Sequence, residues 1–261
     1  MAVTQGSLAD LARLRGDYEQ AERLYRESLK TFEELGDRRG VAVTQHSLAE
    51  LAQLRGDYEQ AERLYRESLK TKEELGDRRE VAVTRNSLAY LAQLRGDYEQ
   101  ADRLYRESLK TAEELGEGRG VAVTQHGLAD LARLRGDYEQ AERLYRESLK
   151  TFEELGGRRE IAVTQGQLAE LAQERGDYEQ AERLYRESLK TAEELGDRRG
   201  IAVTLHNLAL LRIAQERFAE ALELLTRSRD MFREIGLDKD VAEEEEKMGE
   251  IQRRLSEAKV P

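Results

Sequence analysis

The chain predicts an all-α protein, a solenoid of about six antiparallel helix pairs closed by a C-terminal capping helix. Three observations carry that prediction. The 261 residues repeat themselves every 40 positions almost letter for letter, a period that belongs to stacked helical units. Within each unit, apolar residues recur twice at helical spacing with a glycine between the two runs, the pattern of a helix, a stop and a second helix. The only proline is Pro261, so no helix inside the array is interrupted by that route.

Residues 41–80 serve as the example. Val41, Leu48, Ala49, Leu51, Ala52 and Leu54 fall on one face of a first helix. Gly56 ends it, as a residue tolerant of positive φ does just past a helix. Asp57 follows as N-cap with Gln60 at N3, the capping-box arrangement, and Glu59 sits at the positive end of the helix dipole. The second helix carries Ala61, Leu64, Tyr65, Ser68, Leu69 and Leu75 on one face. Glu59/Arg63, Glu62/Arg66 and Arg63/Glu67 are i,i+4 pairs on its solvated side. Gly76 stops this helix and Asp77 caps the next.

Carried along the chain, the pattern puts first helices at 2–15, 38–55, 78–95, 118–135, 158–175 and 198–215. Second helices fall at 18–35, 58–75, 98–115, 138–155, 178–195 and 218–235. A final helix at 239–258 keeps Val241, Met248, Ile251 and Leu255 for packing. It replaces the run Val203-Thr204-Leu205-His206 with Glu243–Glu246, the polar face that the end of a repeat array needs. The expected organisation is an array over 1–236, its first unit truncated at the start, and a capping helix with tail over 237–261. Eleven of the 20 glycines occupy the two turn positions, where their role is geometric and not phosphate binding.

These residues resemble a tetratricopeptide repeat (TPR) array. Leu48-Ala49 stands where the family has Leu-Gly, Gly56-Asp57-Tyr58 matches its inter-helix turn, and Ala61 with Tyr65 matches its Ala-x3-Phe. Gln45 replaces the family's Trp, Ala52 its Tyr and Glu73 its helix-ending Pro. Without that proline the second helix continues through Glu73-Glu74-Leu75, giving 40 residues where about 34 are usual. The sequence is similar to the long-helix class found in kinesin light chains, spindle-orientation adaptors and bacterial signalling proteins. The resemblance implies a right-handed α-solenoid acting as an adaptor, with a concave groove lined by the first helices that binds peptides or protein segments. The family's Lys/Asn clamp for a C-terminal carboxylate is not reproduced.

Composition narrows the partner. Asp+Glu 54 against Lys+Arg 43 give a net charge of −11, which speaks against a nucleic acid or an anionic membrane surface. No apolar run approaches the roughly 20 residues that cross a bilayer, and Met1–Asp10 lacks a signal-peptide pattern, so a cytoplasmic location is expected. Cysteine is absent, which removes disulfides, thiolate ligands and thiol nucleophiles together. Nothing matches a Walker loop, HExxH or GxSxG, so neither a cofactor nor an enzymatic activity is expected.

The units differ mostly on the first helix. The varying sets are Gln5/Gln45/Arg85/Gln125/Gln165/Leu205, Gly6/His46/Asn86/His126/Gly166/His206, Asp10/Glu50/Tyr90/Asp130/Glu170/Leu210 and Arg13/Gln53/Gln93/Arg133/Gln173/Ile213. The last three sets are spaced i, i+4, i+7, which places them on one helix face. The candidate partner contacts are therefore His46, Glu50, Gln53, Asn86, Tyr90, Gln93, His126, Asp130, Arg133, His206 and Leu210.

The three histidines share one repeat position two units apart. They read as solvated groove residues, with ligand contact as the second reading. A shared metal is ruled out, because helices about 8–10 Å apart separate them far beyond ligand distance. Ten of eleven tyrosines recur at core positions, leaving Tyr90 either as an aromatic anchor or as a lone exposed aromatic. Leu205, Leu210 and Ile213 either pack on the closing helix or line an apolar pocket. On the second helix the set Phe32/Lys72/Ala112/Phe152/Ala192/Phe232 tolerates lysine, which implies an exposed or edge position. Arg23, Arg26 and their repeats read as surface charge paired with glutamate.

Met1 occupies the place of Val41, so the chain opens inside a first helix with no preceding helix to cover Leu8, Leu11, Ala12 and Leu14. Self-association through Leu8, Leu11 and Leu14 is the expectation. Two functions follow. One is a scaffold holding a protein or peptide segment, basic or polar given Asp10, Glu50, Asp130 and Glu170. The other is a self-assembling or engineered repeat with a structural role.

Overall fold

A computed structural model describes residues 2–257. Met1 and Ala258, named above for the first and last helices, lie outside the described residues. Among the described residues there are thirteen α-helices: α1 Ala2–Leu14, α2 Tyr18–Glu34, α3 Arg38–Leu54, α4 Tyr58–Glu74, α5 Arg78–Leu94, α6 Tyr98–Glu114, α7 Gly118–Leu134, α8 Tyr138–Glu154, α9 Arg158–Glu174, α10 Tyr178–Leu195, α11 Arg198–Ala214, α12 Phe218–Glu234 and α13 Asp238–Glu257. The sequence places them as six successive pairs and a closing helix. The chain divides after Arg135 into two compact units, each a stretch of all-α solenoid. The first holds α1 to α7 and the second α8 to α13.

The turns follow the sequence chemistry. Asp17, Asp57 and Asp97 in the first unit, and Asp137 and Asp177 in the second, accept a hydrogen bond from the backbone N–H three residues on. Each satisfies a donor that the helix start would otherwise leave open. Just beyond the helix ends, Gly56 and Gly76 take φ of +79° and +71°, a left-handed conformation in which a Cβ is costly.

Burial links each pair to the next. In the first unit Ala49, Leu51, Tyr65, Leu88 and Leu91 belong to one buried cluster running from α1 to α5. In the second, Ala169, Tyr185, Leu208 and Leu211 form a similar cluster. A further cluster of the second unit joins Ala209, Ala221 and Leu225 to Ile251 of α13, with Ile213, Met248 and Leu255 packed against it. The closing helix's cluster thus takes Ile213 in as a partly buried member, and Leu205 is fully buried. Leu210 is half-buried.

Three expectations are corrected. Leu54 and Leu75 are exposed, 53% and 39%, because both stand at a helix end where the chain reverses and packing stops. The Phe32/Lys72 position is an interior one: Lys72, Ala112, Phe152, Ala192 and Phe232 are each 3% exposed. Lysine is tolerated there because a carboxylate meets it, as described below. Within Glu243–Glu246, Glu244 is buried. It accepts hydrogen bonds from Ser228 Oγ (2.7 Å) and lies 2.8 Å from His206 Nδ1.

Ion pairs tie neighbouring pairs together. In the first unit Arg55 reaches Glu22 at 2.7 Å and Arg95 pairs with Glu62; in the second, Arg175 reaches Glu142 at 2.7 Å. The sixth repeat has Gln215 at the arginine's place. Its Arg212, at a position that is alanine in every other unit, is buried and reaches Glu182 at 2.8 Å. The hydrogen bond from Arg212 holds the Glu182 carboxyl below its ordinary range.

The sixth repeat also places Glu216 where Gly176 stands one unit earlier, at φ +59°. A left-handed non-glycine residue costs on the order of 1–2 kcal/mol. Glu216→Gly is expected to recover about 1 kcal/mol of that, read as a higher urea midpoint for the full chain.

Candidate functional site

The variable residues of the first helices meet in the first unit. On α3, His46 Nε2 lies 3.6 Å from Glu50 Oε1, and the His46 ring packs edge-on against Tyr65 at 5.0 Å. On α7 the same i,i+4 step sets His126 Nε2 3.8 Å from Asp130 Oδ2. On α5 the equivalent residues are Asn86 and Tyr90, and Tyr90 is 42% exposed.

Electrostatics show which of these are neighbours. Burial alone would raise the Glu50 carboxyl, but His46, Arg13 and Lys72 outweigh it and hold Glu50 below its ordinary range. Burial, and after it the charge of Asp130, pushes the Tyr90 hydroxyl up. Burial pushes the His126 imidazole down, partly offset by Asp130. Glu50 of α3 thus neighbours Arg13 of α1, and Tyr90 of α5 neighbours Asp130 of α7.

The histidines do not stand in solvent as expected. The His46, His126 and His206 side chains are 13%, 19% and 21% exposed. His206, in the second unit, is committed to Glu244 of α13. Gln53 and Gln93 are likewise drawn inward, as acceptors for the hydroxyls of Tyr65 (3.5 Å) and Tyr105 (3.4 Å). Burial and the hydrogen bond to Asp10 raise the equivalent hydroxyl of Tyr25 to about 12. Arg133 and Leu210 are half-buried. At the chain's start, Leu8 and Leu11 are each 50% exposed and Leu14 is 75% exposed, whereas Ala12 is buried.

A buried polar cluster escaped the sequence reading. Lys72 Nζ of α4 donates to Thr84 Oγ1 of α5 at 2.9 Å and pairs with Glu80 at 3.1 Å. Thr84 Oγ1 donates to the Glu80 carbonyl and lies 3.3 Å from His46 Nδ1. The repeats carried no clear signal for it: Lys72 faces Glu80, but Phe152 also faces a glutamate, Glu160, and Phe232 faces Asp240, while Phe32 faces Gly40. A Cβ at Gly40 would fall 2.4 Å from the Phe32 ring, so the Phe32 ring as placed needs that glycine, whereas Phe152 and Phe232 are buried opposite Glu160 and Asp240.

Among the described residues, no group of three or more His, Asp or Glu side chains is placed to hold a metal ion. No described helix is long and apolar enough to cross a membrane.

The chain belongs to the tetratricopeptide repeat family, whose profile matches residues 1–74, 80–154 and 160–234. Its fold is that of non-catalytic TPR scaffolds. Similar solved structures include BtubC (BKLC) from P. vanneervenii, at 24% identity over 87% of this chain and 92% of that one, TM-score 0.65. A Rap protein complexed with competence and sporulation factor matches at 16% identity over 97% and 75%, TM-score 0.72. A STAND signal-transduction ATPase with a tetratricopeptide repeat sensor, from Pyrococcus horikoshii, matches at 16% over 94% and 37%, TM-score 0.71. No curated protein sequence matches the chain.

Removing one member of a buried ion pair leaves the other uncompensated. Glu80→Ala is therefore expected to destabilise the chain by roughly 1–3 kcal/mol, less than a fully enclosed pair would lose. Lys72→Phe combined with Glu80→Gly, the combination present at Phe32 and Gly40, is expected to restore the loss. Denaturant midpoints of the three proteins check both statements.

Proposed function

We propose that the chain holds a protein or peptide segment across the face built from α3, α5 and α7. The observation that carries this is Tyr90: a half-exposed aromatic beside the Asp130 carboxylate, on a face whose other polar groups are largely engaged within the fold. A rigid amphipathic ring offers contact area at little entropic cost. Asp130 and Glu50 beside it favour a basic or polar segment. Asn86 and His126 flank Tyr90 on the same face. Gln53, Gln93 and Arg133 edge it, and in the second unit Leu210 offers an apolar contact beside His206. The net charge of −11 favours a protein partner over nucleic acid or an anionic membrane, in a cytoplasmic setting.

The Rap protein of similar fold is complexed with competence and sporulation factor, which is compatible with this use of the face. A peptide selected from a random library against the full chain should lose about tenfold or more in affinity with Tyr90→Ala and with Asp130→Asn, the scale of a central contact residue. Unchanged affinity in both variants, with unchanged melting temperature, rejects the face.

A second reading rests on α1, where Val3, Leu8, Leu11 and Leu14 are at least half exposed. Such an apolar stripe suits a second copy of the chain. Light scattering over a concentration series should show a mass increase that Leu11→Glu with Leu14→Glu removes; a constant monomer mass in the unsubstituted chain rejects this reading.

A further inference from the structure

Between α5 and α7 lies a cavity of about 290 Å³, floored by Ser108, Ala112 and Leu115 of α6 and its following turn. Ala82, Val83 and Asn86 form one wall, Gly120, Val123 and Thr124 the other. Val83, Leu115 and Val123 remain 38–45% exposed at its mouth. The space has a clear origin in the sequence. Position 112 carries alanine where the first repeat has Phe32 and the second has Lys72. The facing Gly120 has no Cβ to reclaim the room, and one built there would meet Ala112 Cβ at 3.3 Å and Glu117 Cβ at 3.6 Å.

The protein itself shows what fits such a space. One repeat pair earlier, the Phe32 ring lies directly on Gly40, within 2.4–2.7 Å of where a Cβ would stand. Apolar cavities of about 150 Å³ already admit a benzene ring, so the room above Ala112 is ample. Asn86 in the wall has its side-chain oxygen buried with no hydrogen-bond partner, a costly state. Asn86 stands one helical turn before Tyr90, so the cavity opens beside the proposed contact face.

We infer that this cavity is a socket for a phenylalanine side chain of the bound segment. The inference rests on the α3, α5, α7 face being the binding face, but its test does not. The ring from outside takes the place that Phe32 takes from inside in the first repeat. The Ala112 repeat is then one in which the scaffold has exchanged an internal side chain for a ligand's; the pair recurs as Ala192 and Gly200.

The probe is N-acetyl-phenylalaninamide, titrated into the full chain while backbone amide resonances of Asn86, Gly120 and Val123 are followed by NMR. Saturable shifts confined to these residues are expected, together with their loss in Ala112→Phe and in Ala112→Leu, which fill the socket from within. Tyr90→Ala leaves the probe response in place, because that ring lies outside the cavity. No saturable shift in the unsubstituted chain, or shifts that persist in a folded Ala112→Phe or Ala112→Leu protein, overturns the socket. If a library-selected peptide loses affinity with Tyr90→Ala and Asp130→Asn but not with Ala112→Phe, the face stands and the socket fails. If the probe binds and Ala112→Phe abolishes it while Tyr90 and Asp130 prove irrelevant to peptide binding, the socket stands and the face as drawn fails.

Discussion

Every feature of this chain depends on one constraint: a helix pair of this composition cannot cover its own apolar surface. The second helix of a repeat places a buried tyrosine, Tyr65 in the second unit of sequence, between Leu48 and Leu51 on one side and Leu88 and Leu91 of the following repeat on the other. Alanines with no exposed surface, Ala49 and Ala61, let the two helices of a pair approach closely. The 40-residue spacing is therefore also the spacing of shared burial. Surface charge adds lateral ties between pairs, but exposed ion pairs contribute little each. The tyrosine and leucine layer holds the array, and the charges select its neighbours.

That constraint also explains where variation is permitted. Residues facing the next repeat through the tyrosine layer are nearly invariant, whereas the outer edges of α3, α5 and α7 change freely. Variation on the second helix behaves differently. The position occupied by Phe32, Lys72 and Ala112 is buried in most repeats, so each change is felt by the residue opposite: the Phe32 ring lies on Gly40, the Lys72 ammonium meets Glu80, and a space stays open at Ala112. Arg212 follows the same logic. When the surface arginine became Gln215, a neighbouring alanine position supplied a guanidinium to the equivalent acidic partner, Glu182.

Much of this was legible in the sequence. Helix existence, helix order and turn positions follow from the glycine and aspartate punctuation, and the helix ends agree with the expected ones to about one residue. What the sequence hid was depth. The histidines looked like groove residues because they vary, yet a ring of intermediate size can vary and still fill an interhelical gap, as His46 does against Tyr65. Lysine at position 72 suggested exposure because a buried ammonium is costly alone, and its partner Glu80 sits on the next helix. Glu244 looked like one member of a solvent-facing run; only the closing helix's rotation shows that it turns inward to Ser228 and His206. Each miss is a pairwise relation between helices, invisible to a reading made one helix at a time.

The Lys72–Glu80 pair bears on a hazard peculiar to near-identical repeats. Because α4 could settle against a later first helix almost as comfortably as against α5, such a chain is open to slipped registers in which a whole unit loops out. A slip that laid α4 on α7 would set the Lys72 ammonium against Gly120, with no carboxylate to meet it. One charge buried in an otherwise uniform stack thus works as an address label, setting α5 and α9, which carry Glu80 and Glu160, apart from α7 and α11, which carry Gly120 and Gly200.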